Sequence, residues 1–542
     1  MDIIFYIALG VIAVCGLFAL LRQLQMLQQS SYYPSRYWGW LKGAIRFRTS
    51  LAIIGVMFFV ASSLPDTDYD WHYDLYVVLT LAALSLLRIY FCFSDSKKSI
   101  KKLVFTARIK RMIFTAAAFL ATLITAGIIV GQSSIDQNSI VNAGFLQNLL
   151  FTICVFFSFI APATCLVAWA ITYPIEQRCA RWYVNDAKKI LKGMPDLKVI
   201  GVTGSYGKTS TKFILGRILS EKFNVVVTPE SFNTPMGVVR TVREKIQPQT
   251  QIFIAEMGAK NKGDIKEICE IADPSLGIIT SVGPQHLDTF GEIETVADTK
   301  FELADWCKQK GGKVFLNADN EIIKSRAANY NSVLYGTSEF CDCRAENVVY
   351  GRNGLSFNII SGNLNFKVAT KLLGVHNALN IAAAAAVALD LGVPYGDISY
   401  AVSQLKAVNH RLEMKSYING STLIDDAYNA NPEGCLEAAR ILGSFGNMKK
   451  IIVTPGLVEL GAKEYECNRR LGEEAAKYAD IIILVGPKRA IPIEEGVKSQ
   501  EFNSEKLYIV QSFAEARKLF APMCDNNTVI LFENDLPDNY AG

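Results

Sequence analysis

Hydrophobic positions are distributed very unevenly along the chain. Five nearly continuous apolar segments lie at about 2–21, 49–64, 74–92, 112–131 and 148–172, and nearly all the long apolar runs fall before about residue 175. Crossing a ~30 Å hydrocarbon core takes roughly 20 helical residues, so four segments have spanning length and the second is short. Buried core helices are the competing explanation, and five such runs together weigh against it. Beyond residue 175 the pattern changes to short apolar strands alternating with amphipathic helices. That alternation predicts α/β architecture with mostly parallel sheets, in two successive parts.

The loops between the apolar segments sharpen the picture. Residues 22–48 carry Arg22, Arg36, Lys42, Arg46 and Arg48; residues 93–111 carry seven Lys or Arg, and Arg178, Arg181, Lys188 and Lys189 follow the fifth segment. The stretches 65–73 and 132–147 have none. Basic loops stay on the cytoplasmic side, so this alternation predicts an N-terminus outside and everything after residue 172 in the cytoplasm. Met1-Asp2 supplies no basic leader, and no small-residue cleavage site precedes Arg22, so the first segment reads as a retained anchor. No Asp, Glu or Lys lies deep within a span, which argues against an ion path.

Composition agrees with a mixture. The 542 residues are 50% hydrophobic and 20% charged, which excludes a disordered chain. A net charge of +4 is too small to suggest a nucleic-acid partner. The 12 cysteines are scattered; only Cys341 and Cys343 are close, without metal-ligand spacing, so reduced thiols are expected.

Chemistry enters at Leu197. The run KVIGVTGSYGKTSTKFILGRIL leads an apolar strand through a glycine-rich turn into an amphipathic helix, the context of a phosphate loop. Gly204 and Gly207 allow backbone N–H groups to approach phosphate oxygens, with Ser205 and Ser210 in the same loop. Lys208 can reach the outer phosphates and the Thr209 hydroxyl can meet Mg²⁺. A strict phosphate-loop count fails, since Val202 stands where the first glycine belongs. Glu256 follows another apolar strand, a suitable carboxylate for Mg²⁺, and His286 follows a Gly-Pro turn.

GVTGSYGKTSTK, EMGAKNKGDI, GPQHLDTFG, GVHNALNIAAAAAVA, NHRLEM and LIDDAYNANPEG occur in this order and together resemble the Mur ligases. DDAYNANP looks most like the members that add D-alanyl-D-alanine to a UDP-muramoyl tripeptide. The resemblance is strong over about 196–470 and implies a central ATP-binding domain over 190–408 and a Rossmann-like C-terminal domain over 409–542, after a membrane domain of about five helices over 1–175. It implies an ADP-forming acid–amino-acid ligase at a bacterial cell membrane. ATP phosphorylates a carboxylate, an amine attacks the acyl phosphate, and phosphate leaves.

The site residues follow from the resemblance. Thr209 and Glu256 would hold one Mg²⁺; His286 and a carbamylated Lys300 would hold a second. Asn377 would contact adenine, with Asn380 one turn on. Arg411 would reach phosphate on domain closure, and Asp426, Tyr428, Asn429 and Asn431 would face the nucleotide. Asn233, Thr234 and Gly237 would face the donor, a cell-envelope precursor, lipid-linked or UDP-linked, beside an amino-acid or peptide amine. Three features depart from the family pattern: no small UDP-binding domain precedes residue 196, TPGLVELG stands at 454–461, and ILFENDLPDNYAG replaces a KGS-type turn. The last two fall in the acceptor-binding domain. A related ligase building a γ-glutamyl chain, and a membrane-bound ATP sensor or scaffold, are the other readings.

Overall fold

The computed structural model describes residues 2–30, 32–43, 102–133, 142–230, 232–284, 290–427, 432–458 and 460–534. Two compact units divide the chain, Met1–Arg181 and Trp182–Gly542.

The first unit is helical. Its helices are α1 (Asp2–Gln29), α2 (Pro34–Gly43), α3 (Ala107–Ser133) and α4 (Asn142–Lys192), the last running into the second unit. Three predicted spans, 2–21, 112–131 and 148–172, fall on α1, α3 and α4; the other two lie outside the described residues. Among the described residues, however, no helix is long and apolar enough to cross a membrane. The five-span domain is therefore not reproduced. The described side chains pass quickly from apolar to polar: Leu24, Leu27, Tyr37, Ile109, Met112 and Cys165 form a small core. Next to it the Tyr37 hydroxyl donates to Gln23 at 2.7 Å, and Arg111 pairs with Glu176 on α4 at 2.7 Å.

The second unit carries two sheets. Strands β1 (Lys198–Thr203), β2 (Val225–Val227), β3 (Ile252–Glu256), β4 (Leu276–Ile279), β5 (Lys313–Asn317), β6 (Ser332–Gly336), β7 (Cys343–Gly351), β8 (Gly354–Ser361) and β9 (Leu364–Thr370) form a nine-stranded sheet ordered 2-3-1-4-5-6-7-8-9. β2 through β7 pair in parallel, and β8 and β9 join antiparallel. Strands covered on both faces need apolar side chains in both directions. β1 shows the result: Ile200 and Val202 enter one core and Val199 the other.

Helices α5 (Lys208–Leu219) and α10 (His376–Asp390) cover the first face. The alanines of α10, Ala382 to Ala385, are wholly buried, and their small side chains let it lie close beside α5. Helices α6 (Pro235–Lys245), α7 (Asp264–Ala272) and α8 (Ile293–Gln309) cover the second face, with the short α9 (Glu321–Arg326) after β5. Helix α11 (Tyr395–Ser403) ends this part.

The six-stranded sheet begins at β10 (Glu413–Ser416) and includes β11 (Thr422–Asp426), β12 (Lys449–Thr454), β13 (Ile481–Val485), β14 (Leu507–Val510) and β15 (Thr528–Glu533). Its order is 10-11-15-12-13-14, parallel except for β10. Helices α12 (Pro432–Gly443), α13 (Glu464–Tyr478), α14 (Pro487–Lys498) and α15 (Phe513–Phe520) flank it. The expected pair of mostly parallel α/β sheets is thus present. Between them lies a tight turn in which His410 and Leu412, on either side of Arg411, have φ of +59° and +46°.

Candidate active site

In the nine-stranded sheet the chain leaves β1 toward β2 on one side, whereas β4 leads to β5 on the other. The carboxyl ends of β1 and β4 therefore border the crevice in which open α/β sheets place ligands. The glycine-rich loop fills that position. It is tied to the loop after β4: the Ser205 amide donates to the Ser281 carbonyl at 2.7 Å, the Tyr206 amide to Ser281 Oγ at 2.7 Å, and Thr280 Oγ1 to the Tyr206 carbonyl at 2.5 Å. Ser205 Oγ donates to the Gly283 carbonyl at 3.1 Å.

Gly204 and Gly207 have φ of +148° and +80°, and a Cβ on them would stand 2.1 Å from Thr280 Oγ1 and 2.7 Å from Asn380 Oδ1. Left-handed backbone costs an ordinary L-residue roughly 1–2 kcal/mol before any clash. Gly207→Ala is therefore expected to weaken nucleotide binding at least tenfold, read by titration with a fluorescent ATP analogue; unchanged affinity would remove this loop from the site.

Lys208 opens α5 and folds over the loop, donating to the carbonyls of Gly204 at 2.5 Å and Ser205 at 2.9 Å. Burial pushes its ammonium down to about 8, with Arg411 lowering it further and Glu256 pulling upward. Thr209 is buried and donates to Glu256 Oε1 at 3.0 Å. The other carboxylate oxygen belongs to a residue the sequence did not single out: Lys212, one turn along α5, donates to Glu256 Oε2 at 2.9 Å and to the Glu230 carbonyl at 2.5 Å. Burial alone would raise the Glu256 carboxyl, but Lys212, Lys208 and the bond from Thr209 outweigh it and hold it below the usual carboxylate range.

Asn233, expected to face a donor, directs its amide to Glu256 Oε1 at 3.2 Å. Thr234 caps α6 by accepting from the Gly237 amide at 3.3 Å, so both serve local structure here. Lys300 lies on α8, buried, and burial followed by the nearby charge of Lys208 lowers its amine to about 7. His286, Tyr428, Asn429 and Asn431 fall outside the described residues.

A cleft of about 340 Å³ opens beside the loop, bounded by Tyr206, Gly207, Ser210, Thr280 and Ser281 on one side and by Arg411, Asp426, Glu433 and Glu437 on the other. Its floor includes Asn317, Tyr335, His376, Asn377 and Asn380. The two asparagines are already engaged: Asn377 donates to the Leu373 carbonyl at 2.7 Å and accepts from Asn380 at 3.0 Å, and Asn380 Oδ1 accepts from Thr211 at 3.1 Å. Their chain of bonds pins α10 to the helix carrying Lys208. Burial raises Asp426 to about 6, against the Leu412 amide and the Arg411 charge, which favour its anion.

Metal fit follows from the donors. Thr209 and one oxygen of Glu256 suit a single Mg²⁺, an ion that keeps most of its shell from water and substrate phosphate. Among the described residues no group of three or more His, Cys, Asp or Glu is placed to hold a metal. An ammonium or neutral amine at Lys300 gives no carboxylate to a second ion.

Comparison with known proteins places this geometry. A model for the Mur ligase middle domain matches residues 202–388, and one for the Mur ligase glutamate ligase domain matches residues 410–533. The chain is 32% identical over 276 residues to the UDP-N-acetylmuramoyl-tripeptide–D-alanyl-D-alanine ligase of Bacillus subtilis, covering 51% of this chain and 59% of that one. It is 30% identical over 310 residues to the Escherichia coli enzyme of that name, covering 55% and 67%. Similar structures include MurF from Acinetobacter baumannii (TM-score 0.59, 27% identity, 66% and 77% coverage) and MurF ligase from Thermotoga maritima in complex with ADP (0.58, 27%, 66% and 80%). The chain thus spans about three-fifths of the Bacillus subtilis relative's length.

Proposed function

The chain belongs to the Mur ligase family, and from that premise we propose that it is an ATP-dependent ligase joining a carboxylate of a peptidoglycan or other cell-envelope precursor to an amine. The carboxylate oxygen attacks the γ-phosphorus of ATP and ADP departs; the amine then attacks the acyl carbon, the C–O bond breaks, phosphate leaves with its electron pair, and the nitrogen gives up a proton. One observation carries the reading: the cleft gathers the phosphate loop of the first sheet with Arg411 and Asp426 at the start of the second. Charge accumulates where carboxylate meets γ-phosphate; Arg411 and Arg440 line that cleft, and Lys208 is held on the phosphate loop beside it. Closure around it would exclude water from the acyl phosphate. Mg²⁺ on Thr209 and Glu256 would add charge neutralisation at the phosphates.

The relatives' names point to D-alanyl-D-alanine as the amine. A second reading, a related ligase with another amine, such as one building a γ-glutamyl chain, is favoured by TPGLVELG at 454–461 and by ILFENDLPDNYAG in place of a KGS-type turn, both in the C-terminal domain. Purified chain given ATP, Mg²⁺, muramyl tripeptide donors in UDP-linked and lipid-linked form, and either D-alanyl-D-alanine or a panel of other amino acids decides between them. A product heavier by the dipeptide residue supports the first; phosphate release only with other amines supports the second. No amine-dependent release with any pair removes ligation altogether.

Lys300 is proposed as the carbamylation site. Carbon dioxide reacts with a neutral amine, and an amine held near 7 is largely neutral above that pH whereas an ordinary lysine is not. Intact mass under bicarbonate should show an added 44 Da, an approximate carbamate mass, that Lys300→Arg lacks; an unmodified wild-type mass at pH 8 with bicarbonate counts against it.

Membrane placement of residues 1–175 enters this proposal on sequence alone, from five apolar segments separated by alternately basic and uncharged-to-acidic loops. The full chain should stay in the pellet after alkaline carbonate extraction. Recovery in the supernatant would end that placement and leave the ligase reading untouched.

A further inference from the structure

The first unit holds a basic and aromatic cluster that the ligase chemistry does not use. Arg108, in the first turn of α3, lays its guanidinium on the ring of Tyr32, 3.7 Å from the centroid. Its Nε is buried and has no hydrogen-bond partner among the described residues, and the indole Nε1 of Trp169 is buried and unpartnered in the same way. Trp169 and Tyr32 pack on the same core. Tyr173 links the two residues: its ring lies 4.9 Å from that of Trp169, and it is near enough to act on the Arg108 charge. A buried donor without an acceptor costs on the order of 1–3 kcal/mol. Two in one neighbourhood point to an acceptor beyond the described residues.

Charge narrows the identity of that acceptor. The carboxylate near Arg108 is Glu176, which pairs with Arg111 at 2.7 Å. Lys102 and Lys110 are exposed and have no acidic partner among the described residues. The first turn of α3 contains no acidic residue, so Arg108 and Lys110 add to the positive end of the helix dipole rather than offsetting it. Three uncompensated cations exceed what one carboxylate would balance, whereas a phosphate or pyrophosphate would balance them and accept from a guanidinium fork. Beside them Val104 and Phe105 are 61% and 56% exposed, an apolar shelf of the kind a hydrocarbon chain covers.

We propose that Arg108, Trp169 and the flanking lysines form a binding site for a phosphate or pyrophosphate ester, with a lipid-linked ester as the preferred form. Its residues all belong to the first unit, and its test reads binding without nucleotide, so failure of the ligase reading leaves it standing.

The test uses the full chain in detergent micelles, with Lys208→Ala as host so that the phosphate loop does not compete. Calorimetric titration compares inorganic pyrophosphate, farnesyl pyrophosphate and farnesol. Farnesyl pyrophosphate is expected to bind at least tenfold more tightly than pyrophosphate, and farnesol not to saturate. Arg108→Gln should weaken both anions at least tenfold, and Arg108→Lys, which keeps the charge but loses the fork, should weaken them less. Should Arg108→Gln lose its helical circular dichroism, Arg108→Lys is the variant read. Absence of saturable binding by either anion, or binding indifferent to both Arg108 variants, would overturn the site; equal affinity for the two anions would overturn the lipid preference.

Discussion

Replacing Lys208 by alanine is expected to reduce ATP-dependent phosphate release by roughly 10²–10³-fold, the scale on which loss of one preorganised charge-stabilising donor is felt. The fold should survive. Lys208 spends its hydrogen bonds on the Gly204 and Ser205 carbonyls of its own loop, and the one buried carboxylate nearby, Glu256, is held by Lys212 instead. Removing Lys208 therefore strands no buried anion, and thermal unfolding should move little while turnover collapses. Arginine at this position should not rescue, because a planar fork does not reproduce the single ammonium that donates to both the Gly204 and Ser205 carbonyls. A pH consequence follows from the same burial. Lys208 in the free enzyme sits near 8, so its positive charge is present below that pH and lost above it. The profile of kcat/KM, which reports the free enzyme, should fall as pH rises through about 8. Full turnover by Lys208→Ala would show that this loop does not carry the transferred phosphate.

How far such a site can be read before folding depends on the range of the interaction that defines it. Gly204, Gly207, Lys208 and Thr209 were legible because a phosphate loop is local: strand, turn and helix follow one another and each residue's task is set by its neighbours in sequence. Glu256 was legible because a carboxylate at the end of an apolar strand has few structural reasons to be there. Lys212 was not. On an amphipathic helix a lysine is presumed solvated, and what turns this one inward is a carboxylate on β3, reached only when β1 and β3 pair in parallel. Asn233, which the sequence expects at a substrate, directs its amide to the buried Glu256 carboxylate, a contact that only the fold discloses. Glu533 shows the same limit: only the register of β11 with β15 sets it beside Asp426, and the Cys435 thiol then donates to its Oε1 at 2.8 Å. The apolar segments illustrate the reverse case, where the hydropathy pattern predicts five spans and, among the described residues, no helix is both long and apolar enough to cross a membrane.

Lys212→Met should be among the most damaging substitutions in the second unit, destabilising it by about 3–5 kcal/mol, the usual cost of removing one partner from a buried ion pair. The side chains of Lys212 and Glu256 are 0% and 1% exposed, so no water replaces the lost ammonium. Its loss also releases the Glu230 carbonyl, held at 2.5 Å, where the backbone stands at φ +41° without a glycine to relieve it. Glu256→Gln should cost a similar amount, since it leaves the ammonium facing a neutral amide. The double variant Lys212→Met with Glu256→Gln should recover a large part of the stability, because neither member of the pair is then left facing a missing partner; the double-mutant cycle in denaturant unfolding measures that coupling. Its catalytic outcome separates two tasks. If the pair only holds the fold, the double variant regains activity with its stability. If Glu256 is needed at the phosphates, as its bond from Thr209 implies, the double variant folds and stays inactive, and a singly substituted Lys212→Met as stable as the native chain would deny the pair its structural task.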